Sequence, residues 1–196
     1  MMSDMDIILI LAYRVQLDKM KLPPHVTVHA TPDVNDGYHE AFLRFEAFGL
    51  TSYDRVIILS ANAMITRRLH NLLWLDLEGH EVAATVANHP RLHLNLSAAL
   101  IVARPSQQLY ERVAMYQNPS EVQTAAAEVG LYGSDDSIKA TTLYEDALLN
   151  RMFRDGELAK LLPAYLEYLG IRSKEMEKYE EEMSVYCYIY SDAPQE

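Results

Sequence analysis

Arg44-Phe45-Glu46-Ala47-Phe48-Gly49-Leu50-Thr51-Ser52-Tyr53-Asp54-Arg55-Val56-Ile57-Ile58-Leu59 passes from a helix into a buried strand, and the fold class follows from that passage. Phe42, Phe45 and Phe48 fall at i, i+3 and i+6 on one side of a helix predicted over 38–50, a stripe that packs into a core. The charged pair Asp54-Arg55 then leads into Val56-Ile57-Ile58-Leu59, short and wholly apolar, the pattern of a strand covered on both faces.

Outward from this passage, strands and helices interleave. Upstream, 6–12 is a continuous aliphatic run and predicts a strand. Helical turns over 14–21 end at Pro23-Pro24, and the alternating 25–30 predicts a second strand. Downstream, 61–65 is a turn, 67–75 is helical and ends near Trp74, and 81–86 and 96–103 are strands. Pro105-Ser106 sets up a helix over 107–116, and Ser120 starts another that reaches Val129. A polar loop over 130–137 precedes helices predicted over 143–153 and 157–169. A charged helix over 172–183 and a last strand over 185–190 follow. With no internal repeat and no long linker, the pattern predicts one α/β domain over 1–196, a sandwich around a mostly parallel sheet.

Composition narrows the function classes. The chain has 196 residues, 49% of them hydrophobic and 23% charged, enough apolar content for a core and too much for a disordered chain. Seventeen basic against 28 acidic residues give a net charge of -11, which disfavours nucleic-acid and anionic-membrane partners. The run 7–13 meets Arg14 after an acidic start, too short for a span and lacking a basic leader, so a cytoplasmic location is expected. In that compartment the sequon Asn95-Leu96-Ser97 is a chance match.

Most catalytic signatures are missing. Neither G-x-G-x-x-G nor G-x-x-x-x-G-K-[ST] occurs, and no G-x-S-x-G elbow is present. The single Cys187 allows no intrachain disulfide and no multi-cysteine zinc site, and its aromatic strand suits an inert core thiol. His25 and His29 share one face of a strand but stand about 13 Å apart, too far to chelate one ion. His89 and His93 bracket Pro90, which prevents a regular helical presentation. The acidic run 175–182 is a solvated helix face, or else a docking surface for a basic partner.

The stretch 44–59, continued by Ser60-Ala61-Asn62-Ala63-Met64-Ile65-Thr66-Arg67-Arg68-Leu69, resembles the core of the glycogenin-like glycosyltransferases of family eight. Two later phrases resemble that family in the same order: Leu96-Ser97-Ala98-Ala99-Leu100-Ile101-Val102-Ala103-Arg104-Pro105-Ser106 and Glu145-Asp146-Ala147-Leu148-Leu149-Asn150. The resemblance spans about 6–165 and leaves the charged helix and final strand of 172–190 outside it. It implies a GT-A-like, nucleotide-diphospho-sugar transferase fold: a three-layer sandwich with a mostly parallel central sheet. The family's first nucleotide-binding strand finds no counterpart before Asp6. It also implies retaining transfer from a UDP-linked sugar, with a divalent cation such as manganese held by an aspartate-x-aspartate motif. Carboxylates at a strand end suit a hard cation, which neutralises the departing diphosphate.

Here Ser60 and Asn62 stand where the resemblance places the two metal-holding aspartates, so metal-dependent transfer is expected to be weak or lost and no cofactor is expected. The family's asparagine-serine-glycine becomes Ser97-Ala98-Ala99, and its aspartate-glutamine becomes Glu145-Asp146. By the resemblance, Asp146 is the catalytic candidate nearest the anomeric carbon and Arg44 faces the donor. Ser60, Asn62, Ser97 and Glu145 are the remaining substrate-binding candidates. The expected ligand is a nucleotide sugar or glycan. The alternatives are a non-catalytic pseudoenzyme that partners an active homologous subunit, or an incomplete gene model.

Overall fold

The strand Leu96–Ala103 is buried along all eight residues, and the other elements are arranged around it. The computed structural model describes residues 6–12, 21–24, 26–31, 42–60, 63–65, 69–86, 96–116, 120, 124, 137–154, 158–162, 167–169 and 185–187. In chain order the strands are β1 (Ile7–Ala12), β2 (Val26–Thr31), β3 (Val56–Leu59), β4 (Ala63–Ile65), β5 (Val82–Val86), β6 (Leu96–Ala103), β7 (Lys160–Leu162), β8 (Glu167–Leu169) and β9 (Val185–Cys187). A 3-10 helix covers Leu43–Gly49, and the α-helices are α1 (His70–Leu73), α2 (Gln107–Tyr116) and α3 (Ser137–Met152). The order is mixed α/β, as the interleaved pattern predicts.

The sheet that positions the candidate residues has the order β3-β6-β5-β7. β6 runs antiparallel to both β3 and β5, and β7 runs parallel to β5. The pairs β1-β2 and β8-β9 are parallel, and β4-β9 is antiparallel. The sheet is therefore partly parallel rather than mostly so, because β6 enters it reversed between two strands of common direction.

Register breaks once along β6. Ala84 pairs with Ile101 but the next residue, Thr85, pairs with Ser97, so Ala98, Ala99 and Leu100 have no partner on β5. The break shifts the strand's facial alternation. Leu96, Ala98, Ile101 and Ala103 pack into the cluster with Phe45, Phe48, Leu109, Leu148 and Phe153. Ala99, Leu100 and Val102 belong to the opposite face, with Leu69, Leu77 and Leu162. Helices cover one face and the segment around α1 the other, which gives three layers.

The phenylalanine stripe has a spacing of three, the period of a 3-10 helix, and a 3-10 helix forms over 43–49 in place of the longer helix predicted over 38–50. Residues 38–41 lie outside the described residues. Phe45 and Phe48 are fully buried with ring centroids 5.6 Å apart, and Phe48 meets Phe153 edge-on at 6.4 Å. Gly49 ends the helix under Tyr110, where an added Cβ would lie 3.0 Å from the ring. Tyr110 donates its hydroxyl to Glu46 Oε2 at 2.9 Å and fixes the approach. At the start of α2 the Leu109 N–H donates to Ser106 Oγ at 3.0 Å, the cap that the Pro105-Ser106 pair announces.

Three further expectations change. Ala63–Ile65 is not part of a turn but β4, paired with β9. α3 begins at Ser137, six residues before the predicted Leu143. The helix predicted over 157–169 is replaced by β7 and β8. Ala159 and Leu162 are buried while Leu161 is half-exposed, and the backbone of 160–162 completes hydrogen bonds along β5 that a helix would leave unmade. The turns over 14–20, the charged helix over 172–183 and most of the helix after Ser120 lie outside the described residues.

Candidate functional site

Four of the predicted residues converge where β3 ends and β6 begins. β3 and β5 share a direction, so this corner lies at their carboxyl ends, the side on which open α/β sheets hold ligands. Arg44 projects from the 3-10 helix, Ser60 follows β3, and Glu145 and Asp146 belong to α3. The guanidinium of Arg44 forms an ion pair with Glu145 Oε2. It also donates through Nη1 to the Ala98 carbonyl and through Nη2 to Ser60 Oγ at 3.3 Å. The Arg44 side chain is 12% exposed and that of Glu145 is 8% exposed, so this is a partly desolvated pair and not a surface contact.

Asp146 lies beside the pair but bonds to the strand: its Oδ1 accepts the Ala98 N–H at 2.6 Å. The peptide freed by the register break is thus held at both ends, by Asp146 at its N–H and Arg44 at the next carbonyl. Ser97 is buried at 1% exposure, and its Oγ accepts the Ala99 N–H at 3.2 Å. It stands on the same bulged strand, one residue before Ala98. Asn62 lies outside the described residues.

Asn150 belongs to this assembly and was not among the predicted site residues. Its Oδ1 accepts the Leu96 N–H at 2.9 Å, and its Nδ2 donates to the Leu96 carbonyl at 2.7 Å and to the Asp146 carbonyl at 2.8 Å. One amide thereby does for Leu96 what a neighbouring strand would do. The available signal was its place four residues after Asp146, on the same helix face and in the same quoted phrase.

Charge decides what the corner can hold. Glu145 faces the guanidinium, and Asp146, the next residue of α3, faces the Ala98 peptide. Burial pushes the Glu145 carboxyl up to about 7, while Arg44 pulls in the opposite direction. The folded protein therefore holds this proton more tightly than the unfolded chain, whose ordinary value is 4.5. The stability from this group is fully present below 4.5 and is lost as pH rises through about 7. The expected loss is on the order of 3 kcal/mol. Glu145→Gln should flatten the curve of unfolding free energy against pH across that window, and chemical denaturation at a series of pH values measures it.

A divalent cation fits this corner poorly. Ser60 offers a neutral hydroxyl already next to the Arg44 guanidinium, so the nearest donor faces a fixed positive charge. Among the described residues no group of three or more His, Cys, Asp or Glu side chains is arranged to hold a metal ion.

The chain has a fold that solved glycosyltransferases share. Among solved structures it is similar to the glycosyltransferase GlyE of Streptococcus pneumoniae TIGR4, with a TM-score of 0.54 and 14% identity over 88% of this chain and 43% of that one. It is similar to the bifunctional glycosyltransferase WbbM, at TM-score 0.50 and 13% identity over 88% of this chain and 36% of that one. Mouse xyloside xylosyltransferase 1 also resembles it, at TM-score 0.50 and 10% identity over 89% of this chain and 79% of that one. The chain spans less than half the length of GlyE and of WbbM. No family's sequence profile matches the chain, and no curated protein matches it in sequence. Among the described residues no helix is long and apolar enough to cross a membrane.

Proposed function

We propose that this chain is a GT-A-like domain of glycosyltransferase family eight, glycogenin-like in descent, whose metal-dependent transfer is weak or lost. The observation that carries this reading is the commitment of Arg44. Its guanidinium is neutralised by Glu145 and further spent on Ala98 and Ser60. A donor diphosphate entering the corner meets two carboxylates and one compensated cation, with no aspartate pair to bring a metal. Binding of a nucleotide sugar or glycan remains the function of the cleft. Arg44 contacts the donor and Asp146, oriented by Ala98 N–H, stands nearest the sugar. The same neutralised cluster favours a second reading, a pseudoenzyme that acts as the partner subunit of an active homologue.

Thermal unfolding with UDP-glucose, UDP-galactose and UDP-xylose, each with and without manganese, separates these cases. A shift that is the same with and without manganese is expected, because binding to the folded state alone raises the unfolding temperature. A manganese-dependent rise of several degrees would overturn the loss of metal use, and no shift under any condition would favour the pseudoenzyme. In the double variant Ser60→Asp/Asn62→Asp the manganese dependence should appear, since two carboxylates return to the strand end.

A further inference from the structure

The two wholly aliphatic strands of the chain are not its buried ones. Ile7-Ile8-Leu9-Ile10-Leu11-Ala12 and Val56-Ile57-Ile58-Leu59 contain no polar side chain, the pattern of strands covered on both faces. Yet Ile7 is 48% exposed, Ile8, Leu9 and Ile10 are half-buried, and of β3 only Ile58 is buried. β1 pairs with β2 along one edge and β3 with β6 along one edge, and among the described residues the second edge of each has no partner strand. The 3-10 helix packs against both strands, and Ile10 and Val56 rest on the same core cluster. Tyr53 donates its hydroxyl to Asp6 Oδ2 at 3.0 Å, which ties together the residues that lead into β3 and β1. The two open edges thus border one gap. Strands two places apart in a sheet stand about 9.6 Å apart, beyond pairing and within reach of a tyrosine that meets an aspartate.

Edge chemistry separates this gap from the outer rims. β2, the outer edge of its pair, exposes Thr27 and His29, and β7, the outer edge of the four-stranded sheet, is three residues long and begins at Lys160. Shortness and polar or charged side chains are the usual means by which an edge escapes pairing. β1 and β3 carry no charge, proline or glycine. Their open N–H and C=O groups are satisfied by an extended backbone, and their aliphatic side chains by apolar ones. Asp6 and Asp54, both exposed, stand where the two strands begin and select positive charge at that end. A second copy that inserted its own β1 alongside would bring Asp4 and Asp6 there, like charge against like.

We propose that the gap between β1 and β3 receives one extended strand of a different polypeptide, apolar through the gap and basic at the end beside Asp6 and Asp54. The inserted strand pairs on both sides and joins the two-stranded and four-stranded sheets into one. Insertion requires no nucleotide sugar, so it stands apart from the function proposed for the Arg44 corner.

The probe is a synthetic peptide, two lysines followed by valine, threonine, valine, isoleucine, valine and threonine, added to the full chain. It should raise the unfolding temperature saturably. Amide hydrogen exchange should slow at the N–H groups of β1 and β3 that do not donate to β2 or β6. A peptide with proline at two of its valines lacks the donors and should not bind. Two glutamates in place of the lysines should weaken binding about tenfold, and Asp6→Lys/Asp54→Lys should reverse that preference. Both substitutions fall on exposed residues, so the fold tolerates them. Unchanged exchange at β1 and β3 with the lysine peptide would overturn the proposal, as would equal binding of the proline peptide or a charge preference that survives the swap. Protection of both edges that grows with protein concentration and needs no peptide would also overturn it and assign the gap to a second copy of the chain.

Discussion

Arg44→Leu is expected to destabilise the fold by about 3–5 kcal/mol above about pH 8, the cost of stranding a buried carboxylate. The side chain has three partners: Glu145, the Ala98 carbonyl and Ser60. Leucine replaces the stem of arginine but none of its donors, so Glu145 stays at 8% exposure without its counter-ion and the Ala98 carbonyl loses a bond. The loss should shrink as pH falls, because an isolated buried carboxyl takes a proton instead of remaining charged. That pH dependence distinguishes the electrostatic cause from lost packing, which has none. A second substitution provides the sharper check. Arg44→Leu/Glu145→Leu removes both charges at similar volume, and a buried pair exchanged for packed apolar groups is often neutral. The double variant should therefore regain most of the stability, measured by chemical denaturation around the full mutant cycle. A double variant as unstable as the single one would show that the carboxylate was not the source of the cost.

Legibility in the sequence followed the physics of each element. β6 and α2 have the predicted bounds, because a run that is apolar but for Ser97 is satisfied by burial on both faces and because Ser106 caps a helix locally. β7 was not legible. Glu157-Leu158-Ala159-Lys160-Leu161-Leu162 has the composition of a helix, and only the tertiary demand of β5 for a parallel neighbour draws 160–162 into a strand. The phenylalanine stripe was correctly placed in the core, yet its spacing of three carried the further message of a 3-10 turn. For the site, periodicity could not have brought Arg44 to Glu145 across some hundred residues; the resemblance set both among the candidate residues without pairing them, and the pair is seen only in the structure. What no local pattern held was the register break in β6. It frees the Ala98 peptide and explains why polar side chains from a helix are needed beside a buried strand.

That role is most fully developed in Asn150, and Asn150→Leu is expected to cost roughly 3–5 kcal/mol, the lower part of the range given by about 1–3 kcal/mol for each of three buried polar groups that lose a partner. Leucine keeps the number and branching of side-chain heavy atoms and is the bulkier residue, so no cavity contributes. What disappears is the acceptor for Leu96 N–H and the donors to the Leu96 and Asp146 carbonyls. Asn150 is 1% exposed and Leu96 fully buried, so water is poorly placed to replace those bonds without opening the strand. Asn150→Asp should recover less than its shape suggests: it restores an acceptor for the N–H but brings a charge into the core and points an oxygen at the Leu96 carbonyl. The effect should reach the candidate site as well. Releasing the start of β6 loosens Ala98, the residue whose two peptide groups orient Asp146 and Arg44. Amide hydrogen exchange is the discriminating measurement, with protection in Asn150→Leu expected to fall first at Leu96 and Ala98 and to persist at Ile101–Ala103, where β3 and β5 both still pair. Uniform loss along the whole strand would instead mean that Asn150 supports the sheet globally and not the start of β6 alone.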